Sequence, residues 1–338
     1  MGIPGALVQL ARDFQEAGVR LYGVGGMVRN PRLGLPISDM DITSALRPEG
    51  VLALCEGKGY GVVKKGLAFG MVEIHLGGYA FEHTTFRADT YGPGGGHRPT
   101  AIAFSDTVEA DAFRRDFTVN ALYQDLLTGA VLDPTGGLKD LAAKRLRATS
   151  PDPAVILRDD ALRVLRLARF CGELGFEPEP GTFGAAQRFV GGLKDISRER
   201  VRDELQKILL ADGKYGNQAG VYQGLHLLDR LGALEVILPA LAAGRGLGQR
   251  QEYHAYDVLE HGLQTAAQAE LAGGLELRLG ALLHDVGKPA AFQATGRMLH
   301  HDQMGADIAR EMVTGLRFSN QVQEEVSWLV AHHMFDLE

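Results

Sequence analysis

Hydrophobic and polar positions divide the chain into two halves of different character. Up to about residue 145, short runs rich in β-branched and aromatic residues alternate with stretches in which apolar residues recur at helical spacing. The predicted elements of this half include helices 5–17 and 48–58 and strands 20–24, 39–44, 71–76 and 79–86. Such alternation is typical of a small α/β domain.

Beyond this half the apolar period is helical almost throughout. Asp152 followed by Pro153 is typical of a helix start, because proline favours the first helical position. The pattern predicts helices 153–172, 182–191 and 197–211, and further helices to the end. We therefore predict an α/β head with a mixed sheet and two all-helical regions, a neck and a body, over residues 1–145, 146–215 and 216–338.

Composition is that of a globular protein with two or three domains, since 45% of the 338 residues are hydrophobic and 23% are charged. The first residues lack a basic segment followed by an apolar core, and no uncharged apolar run reaches about 18 residues. Cys55 and Cys171 fit neither a disulfide framework nor a zinc site. These features predict a cytoplasmic protein without a membrane partner.

Charge is distributed unevenly around the net value of -7. Residues 141–215 hold 14 Lys and Arg against 11 Asp and Glu, so this segment alone is basic, by +3. A segment of this charge permits phosphate contacts but does not demonstrate them.

One stretch, YGVGGMVRNPRLGLPISDMDI (22–42), combines glycines, an arginine and two aspartates. A dinucleotide fingerprint needs a glycine where Val28 stands, and the terminal glutamate of an EF-hand is missing. Glycines after a strand let backbone amides approach phosphate, and an arginine supplies a fixed fork of donors. We therefore assign triphosphate binding to Gly25, Gly26 and Arg29. Metal binding is assigned to Asp39 and Asp41.

The metal assignment depends on strand geometry. Two carboxylates at i and i+2 of a strand point to the same face, where they repel each other unless a divalent cation lies between them. A bare D-x-D is more often a polar turn at the start of a strand. The context of the other motifs favours the metal site.

Taken together, G-G-x-x-R and D-x-D resemble the polymerase-β-like nucleotidyltransferases. Downstream, FEHTTFRAD (81–89), DAFRRDFTVNALY (111–123), LDPTGGLKDL (132–141) and RDDALRVLRLARF (158–170) occur in the order seen in bacterial class II tRNA nucleotidyltransferases and bacterial poly(A) polymerases. The resemblance covers residues 20–210. It implies a polymerase-β-like head followed by a helical neck with a nucleotide-template helix and an RNA-binding region.

The resemblance also implies roles for individual residues. Asp39 and Asp41 would bind two Mg²⁺ ions, and Glu82 on a neighbouring strand would complete the catalytic cluster. Residues that would contact the incoming nucleotide are Arg114, Arg115 and Asp116 for sugar and phosphates, Asp160 and Arg163 for the base, and Arg166 and Arg169 for base and triphosphate. On the predicted helix the last four stand three residues apart along one side, an arrangement that a surface ion-pair ladder would share.

Two further segments have counterparts in the family. Segment 88–101 occupies the position of a flexible loop that helps to switch specificity from C to A, with Asp89 and Arg98 as its candidate residues. Segment 197–210 resembles a helix that braces the template helix.

Histidines in the last third follow the order of HD-domain phosphohydrolases. An adjacent His-Asp supplies one neutral and one anionic ligand for a divalent metal, and we assign His261, His284 and Asp285 to such a site, with a divalent transition metal or Mg²⁺. The pairs 300–301 and 332–333 follow in HD order, and Asp336 is available as the last ligand.

The main hypothesis is therefore template-independent addition of CMP and AMP from CTP and ATP to the 3' end of tRNA. A CC-adding or A-adding specialist and a poly(A) polymerase of the same family stay open, although VVKKGLAFGMVEI (62–74) lacks the basic signature of the poly(A) polymerases. An HD phosphohydrolase with a nucleotide-sensing N-terminal half is the alternative from another class. The oligomeric state stays open.

Overall fold

The computed structural model describes residues 3–91, 101–248 and 256–334. The chain divides into two compact units, Met1–Asp160 and Ala161–Glu338. Each unit is described by itself.

The N-terminal unit is α/β. Its helices are α1 (Gly5–Glu16), α2 (Gly26–Arg32), α3 (Pro48–Lys58), α4 (Val108–Phe113), α5 (Gly137–Ala142) and α6 (Pro153–Asp159). Its strands are β1 (Tyr22–Val24), β2 (Asp41–Ser44), β3 (Gly61–Gly66), β4 (Met71–Leu76), β5 (Tyr79–Thr85), β6 (Arg87–Thr90), β7 (Ala101–Phe104), β8 (Tyr123–Asp125), β9 (Val131–Leu132) and β10 (Arg145–Leu146).

A seven-stranded sheet in the order β3-β4-β5-β2-β1-β8-β9 is the centre of this unit. Strand β2 runs parallel to β5, whereas β1 pairs with β2 and β8 in antiparallel fashion. The sheet is therefore mixed, as predicted. Leu7, Leu10 and Phe14 of α1 and Val51 and Cys55 of α3 are fully buried in the main core cluster of this unit.

Two predicted elements match the structure, and two strands begin later than predicted, since strand 20–24 begins only at Tyr22. Helix Pro48–Lys58 and strand Met71–Leu76 have the predicted bounds. The predicted strand 39–44 is two residues too long, since the observed strand begins at Asp41. Its pairing with β5 starts with the hydrogen bond that the Glu82 amide donates to the Met40 carbonyl. Asp39 therefore precedes the strand and accepts a hydrogen bond from the Ser38 hydroxyl.

The predicted single helix 153–172 is wrong. Helix α6 ends at Asp159, Asp160 is extended with φ -143° and ψ 103°, and α7 begins at Leu162. Apolar residues keep a helical period on both sides of this break, so the pattern contains no sign of it.

The C-terminal unit is helical apart from β11 (Glu177–Pro178) among its described residues. Its helices are α7 (Leu162–Leu174), α8 (Pro180–Phe189), α9 (Arg198–Leu209), α10 (Ala211–Tyr215), α11 (Gly220–Arg230), α12 (Leu234–Ile237), α13 (Pro239–Ala242), α14 (Val258–Gln268), α15 (Gly274–Leu283), α16 (Lys288–Thr295), α17 (His301–Gly315) and α18 (Asn320–His332). Within the part of the chain that the structure describes, no helix has both the length and the apolar character needed to cross a bilayer.

Helix α7 packs against α9 and α11. It approaches α11 so closely that a Cβ at Gly172 would lie 2.5 Å from the Gly220 carbonyl oxygen. Helix α15 is held by Arg278, which is 1% exposed and donates to both carboxylate oxygens of Asp212 and to the Leu209 carbonyl. These contacts place the end of α15, where His284 follows.

Candidate active site and metal centre

Asp41 and Glu82 stand directly opposite each other in the parallel pair of β2 and β5. Residues in register on neighbouring strands project from the same face of the sheet, so the two carboxylates share one side. Asp39 lies two residues before Asp41, in the loop that leads into β2. The sheet thus brings Asp41 and Glu82 together, and the loop before β2 places Asp39 within electrostatic range of Asp41.

Burial raises the pKa of Asp41 to about 6, and the negative charges of Glu82 and Asp39 add to this effect. Arg115 and Arg29 act in the opposite direction, so both guanidinium groups lie within electrostatic range of the Asp41 carboxylate. A half-buried cluster of like charges is costly without a cation. All three donors are carboxylates, a hard oxygen set that suits Mg²⁺ and similar divalent ions.

Lys65 adds a positive charge beside this cluster that the sequence did not reveal. Its ammonium group lies 3.5 Å from the Glu82 carboxylate and forms a closer ion pair with Glu73 on β4. Glu73 is opposite Glu82 in the β4–β5 ladder. Glu73 is therefore already paired with Lys65, and also with His75.

Gly25 and Gly26 lie at the turn between β1 and α2. Gly25 has φ +66°, and a Cβ at this position would lie 3.8 Å from an Asp41 carboxylate oxygen, so the turn passes close to the acidic cluster. Arg29 is 3% exposed and donates hydrogen bonds to the side-chain oxygens of Asn30 and Asn120. The predicted triphosphate contacts of these residues stay a prediction.

Asn120 connects Arg29 to Asp116. Its side-chain amide donates to the Asp116 carboxylate at 3.2 Å, and the same carboxylate accepts from the Phe117 amide at 2.7 Å. Asp116 is 6% exposed. Sequence reasoning missed Asn120, because it stands 91 residues from its arginine partner and belongs to no periodic pattern.

Asp111 holds the other two residues of the RRD segment, Arg114 and Arg115, which follow the end of α4. Its buried carboxylate accepts from Arg114 at 2.8 Å, from Arg115 at 3.0 Å and from the Tyr123 hydroxyl at 2.7 Å. Although burial opposes ionisation, the charges of Arg115 and Arg114 and these hydrogen bonds lower the pKa of Asp111 to about 2. The spacing of Asp111 three and four residues before the arginines was a signal that could have identified it.

Asp89 is not in a loop, contrary to the prediction. It lies in β6, which pairs with β7, and its buried carboxylate forms an ion pair with Arg87 at 3.1 Å. The alternation of apolar and polar residues in these two short strands was obscured by the glycine-rich sequence between them. Arg98, the other predicted residue of this loop, lies outside the described residues.

The predicted template residues differ in their surroundings. Asp160 lies in the extended segment before α7, so its predicted helical i, i+3 relation to Arg163 is wrong. Arg163 and Arg169 are buried on α7, at 9% and 8% exposed, and Arg166 is more accessible. Their predicted contacts with base and triphosphate stay a prediction.

Glu204 on α9 ties two of these arginines together. Its carboxylate lies 2.7 Å from Arg169 Nε and 3.8 Å from Arg166 Nη1, and the Arg169 guanidinium carbon lies 4.1 Å from the centre of the Phe170 ring. Glu204 is 4% exposed, so this ion-pair group is centred on a buried carboxylate, which a surface ladder would lack. Sequence reasoning placed α9 as a brace for α7 but did not single out Glu204.

A histidine cluster surrounds Asp285 in the C-terminal unit. Among the described residues, two groups bring three ligating atoms within 4.8 Å of one another, and both contain Asp285. The first is the predicted set with His261 and His284, and the second adds His301 and His333. The three carboxylates of the N-terminal unit are more widely spaced than this, since they form no such group.

The two carboxylate oxygens of Asp285 face different histidines. Oδ2 lies 3.2 Å from His284 Nε2 and 3.7 Å from His261 Nε2, whereas Oδ1 lies 3.3 Å from His301 Nε2 and 3.6 Å from His333 Nε2. In His284, His301 and His333 the Nδ1 atom donates to the backbone carbonyl of the residue three positions earlier in the chain. Nε2 is thereby directed at Asp285, the arrangement that metal-binding histidines usually have.

Burial opposes ionisation of Asp285, yet hydrogen bonds from His284, His301 and His333 hold its pKa well below the usual range. The Lys288 ammonium adds a positive charge 2.7 Å from Oδ2. Imidazole nitrogens with a carboxylate form a donor set that suits a divalent transition metal. Asp336, the candidate last ligand, lies outside the described residues.

Comparison with known families agrees with this layout. Residues 21–147 match the family described as "Poly A polymerase head domain", residues 175–244 match "Probable RNA and SrmB- binding site of polymerase A", and residues 258–338 match "HD domain". The order of the three matches is that of a nucleotidyltransferase head followed by an RNA-binding region and an HD domain. Both kinds of catalytic domain usually use divalent metals.

Curated relatives carry names from one group of enzymes. The chain is 33% identical to the "Multifunctional CCA protein" of Neisseria gonorrhoeae over 94% of its own length and 74% of that protein. It is 37% identical to the "A-adding tRNA nucleotidyltransferase" of Deinococcus radiodurans over 70% of its own length and 55% of that protein. The chain belongs to the class II tRNA nucleotidyltransferase and poly(A) polymerase family, with an HD domain.

The fold is also that of solved members of the family. The structure of the Bacillus stearothermophilus CCA-adding enzyme in complex with CTP superposes with a TM-score of 0.60 at 24% identity, over 98% of this chain and 81% of that one. This likeness shows the fold alone. The chain spans about half to 61% of the length of the first curated relatives it matches.

The Asp111 cluster predicts a loss of stability with a defined pH dependence. Because the folded pKa of Asp111 is about 2 against an ordinary value of 3.8, its ionised form contributes about 2 kcal/mol to the free energy of unfolding at pH 7. Asp111→Asn should remove this amount in urea unfolding. The unfolded chain takes up the proton first as pH falls, so the difference from wild type should be constant down to about pH 4 and about half as large at pH 3.

Asp106→Asn is the matched control, because Asp106 pairs with Arg47 at the surface with 82% of its side chain exposed. This variant should stay within about 0.5 kcal/mol of wild type. Equal stability of the two variants would contradict the role given to Asp111.

The histidine cluster predicts which member of the 300–301 pair binds metal. His301→Asn removes an imidazole that faces Asp285, and we expect it to lower Zn²⁺ affinity by at least about tenfold in calorimetry of the metal-free protein. His300→Asn is the control, since His300 is exposed and asparagine tolerates its positive φ of 57°. Equal losses in both variants would show that the site is not built around His301.

Proposed function

We propose that the chain adds CMP and AMP from CTP and ATP to the 3' end of tRNA. The observation that carries the proposal is the Asp41–Glu82 pair on adjacent parallel strands, with Asp39 beside it and Arg29 and Arg115 within electrostatic range. Family membership supports this assignment. A cytoplasmic location, predicted from the sequence, agrees with a tRNA substrate.

In the proposed reaction, the 3'-hydroxyl oxygen of tRNA attacks the α-phosphorus of the nucleotide. The bond from that phosphorus to the pyrophosphate oxygen breaks, pyrophosphate leaves, and the hydroxyl proton passes to solvent. Asp39, Asp41 and Glu82 would hold two Mg²⁺ ions, which when bound lower the pKa of the hydroxyl and neutralise charge on the phosphates. No protein nucleophile is required.

The basic residues of the head would bind the triphosphate. Arg115 is kept in place by Asp111 and Tyr123, and Arg29 by Asn120, so neither guanidinium needs to be ordered when the nucleotide arrives. Ordered donors of this kind favour the charge distribution of the transition state. Gly25 and Gly26 leave room for phosphate beside Asp41.

Selection of the base is assigned to Asp160 and to Arg163, Arg166 and Arg169 of α7. Carboxylate and guanidinium groups offer the acceptors and paired donors that a base edge presents. Glu204 supports this assignment by fixing the positions of Arg166 and Arg169. Because relatives include both CCA-named and A-adding proteins, CC-only, A-only and poly(A) addition stay as alternatives within the family.

A second function is supported by the Asp285 cluster. We propose metal-dependent hydrolysis of phosphate esters, in which water adds to phosphorus, the ester P–O bond breaks, and the leaving oxygen takes a proton. His261, His284, Asp285, His301 and His333 would hold the metal, which when bound supplies an activated water and charge neutralisation. Lys288 would add positive charge near the phosphate.

The test of nucleotidyl transfer uses tRNA that ends at the discriminator base, at -C and at -CC. Purified chain with Mg²⁺ should add two C residues with CTP alone to the first substrate and one A with ATP alone to the third. Asp41→Asn should reduce both by at least about a thousandfold, because the cluster loses a metal ligand. Each product is measured at single-nucleotide resolution.

His284→Asn is the matched control, because it alters the other metal centre and should leave both extensions unchanged. Absence of extension by either nucleotide would contradict the main proposal. If only one of the two nucleotides is incorporated on any of the three tRNAs, the chain would be reassigned to the corresponding CC-adding or A-adding specialist.

A further inference from the structure

An apolar cavity of about 600 Å³ opens beside the histidine cluster. Its walls include Leu277, Gly280 and Ala281 from α15 and Leu329 from α18. His284 and His333, which both face Asp285, line the same cavity. One end of an apolar pocket is thus formed by side chains that would hold the metal.

Trp328 forms an exposed wall of this cavity. It is 60% exposed, and its ring stacks on His332 with the centroids 4.6 Å apart and the planes 22° from parallel. Among aromatic side chains, tryptophan has the largest face for stacking with another ring, and an exposed one beside a cavity is unusual in a core-building role. His332 lines the same cavity, and its stacking on the indole holds the orientation of the Trp328 ring.

The far end of the cavity is acidic. Leu277, Trp328 and Leu329 also line a neighbouring cavity, whose other residues include Glu276, Glu324 and Glu325. The combined groove therefore runs from the histidines that would hold the metal to an anionic end. A ligand with negative charge at both ends would be repelled from one of them.

We propose that this groove binds the organic part of a phosphate monoester that carries a flat aromatic ring without negative charge at its distal end. The phosphate would lie at the histidine cluster and the ring against Trp328, with Leu277 and Leu329 covering its edges. Trp328 is then a specificity-determining residue of the C-terminal centre. The inference rests on the phosphohydrolase activity proposed above only for the identity of the reaction, since binding can be measured separately.

Trp328 is the single tryptophan of the chain, so its fluorescence reports on the groove directly. The full chain with Zn²⁺ is titrated with phenylphosphonate and with cyclohexylphosphonate, whose P–C bonds are not hydrolysed and whose rings differ in flatness. Inorganic phosphate and 4-carboxyphenylphosphonate are the third and fourth ligands. Dissociation constants are checked by calorimetry.

We expect phenylphosphonate to change the Trp328 emission to saturation and to bind about fivefold more tightly than cyclohexylphosphonate, because the planar ring stacks on the indole. The carboxylated ring should bind more weakly than phenylphosphonate, and phosphate alone should leave the emission unchanged. Trp328→Leu should abolish the preference for the flat ring in calorimetry, whereas Trp328→Phe should retain part of it.

Equal affinities for the flat and the saturated ring would overturn the inference, as would absence of binding of both. A preference that survives Trp328→Leu would also overturn it. The proposed hydrolysis is tested separately with phenyl phosphate: ring-selective binding without turnover would remove the hydrolase proposal and leave the groove assignment intact. Turnover without ring selectivity would remove the groove assignment and leave the hydrolase proposal intact.

Discussion

The parallel pairing of β2 with β5 is the constraint on which the proposed transfer site depends. It sets Asp41 opposite Glu82, two residues that lie 41 positions apart in the chain, on one face of the sheet. Without this register the carboxylates would not share a face, and neither alone would form a cation site. The rest of the head stabilises this pairing, because α1 and α3 pack against the apolar surface of the sheet.

A buried carboxylate that gathers basic side chains recurs in the proposed sites. Asp111 orders Arg114 and Arg115, Glu204 orders Arg166 and Arg169, and Asp285 orders the histidines. Each acidic group would be costly to bury without its partners, and each set of partners is fixed in return. The ligand-binding groups are therefore ordered before a substrate arrives, which reduces the entropy lost on binding.

Much of the fold could be predicted from local pattern, and the site only in part. Helix Pro48–Lys58 and strand Met71–Leu76 have regular periods, and the mixed sheet of the head follows from such elements. The break at Asp160 interrupts no apolar period, and Asn120 meets Arg29 across 91 residues. Such features depend on tertiary packing, which a single sequence does not display. Which histidine of the 300–301 pair faces Asp285 depends likewise on where α17 begins.

The central claim is that Asp41 and Glu82 together hold a divalent cation. Mn²⁺ binding, measured by electron paramagnetic resonance in an Asp285→Asn background that disables the other centre, tests it directly. Glu82→Gln should lower Mn²⁺ affinity by at least about tenfold, whereas Glu73→Gln, opposite Glu82 but paired with Lys65 and His75, should stay within about twofold of the background. Unchanged Mn²⁺ affinity in Glu82→Gln, with the fold intact by circular dichroism, would contradict the account.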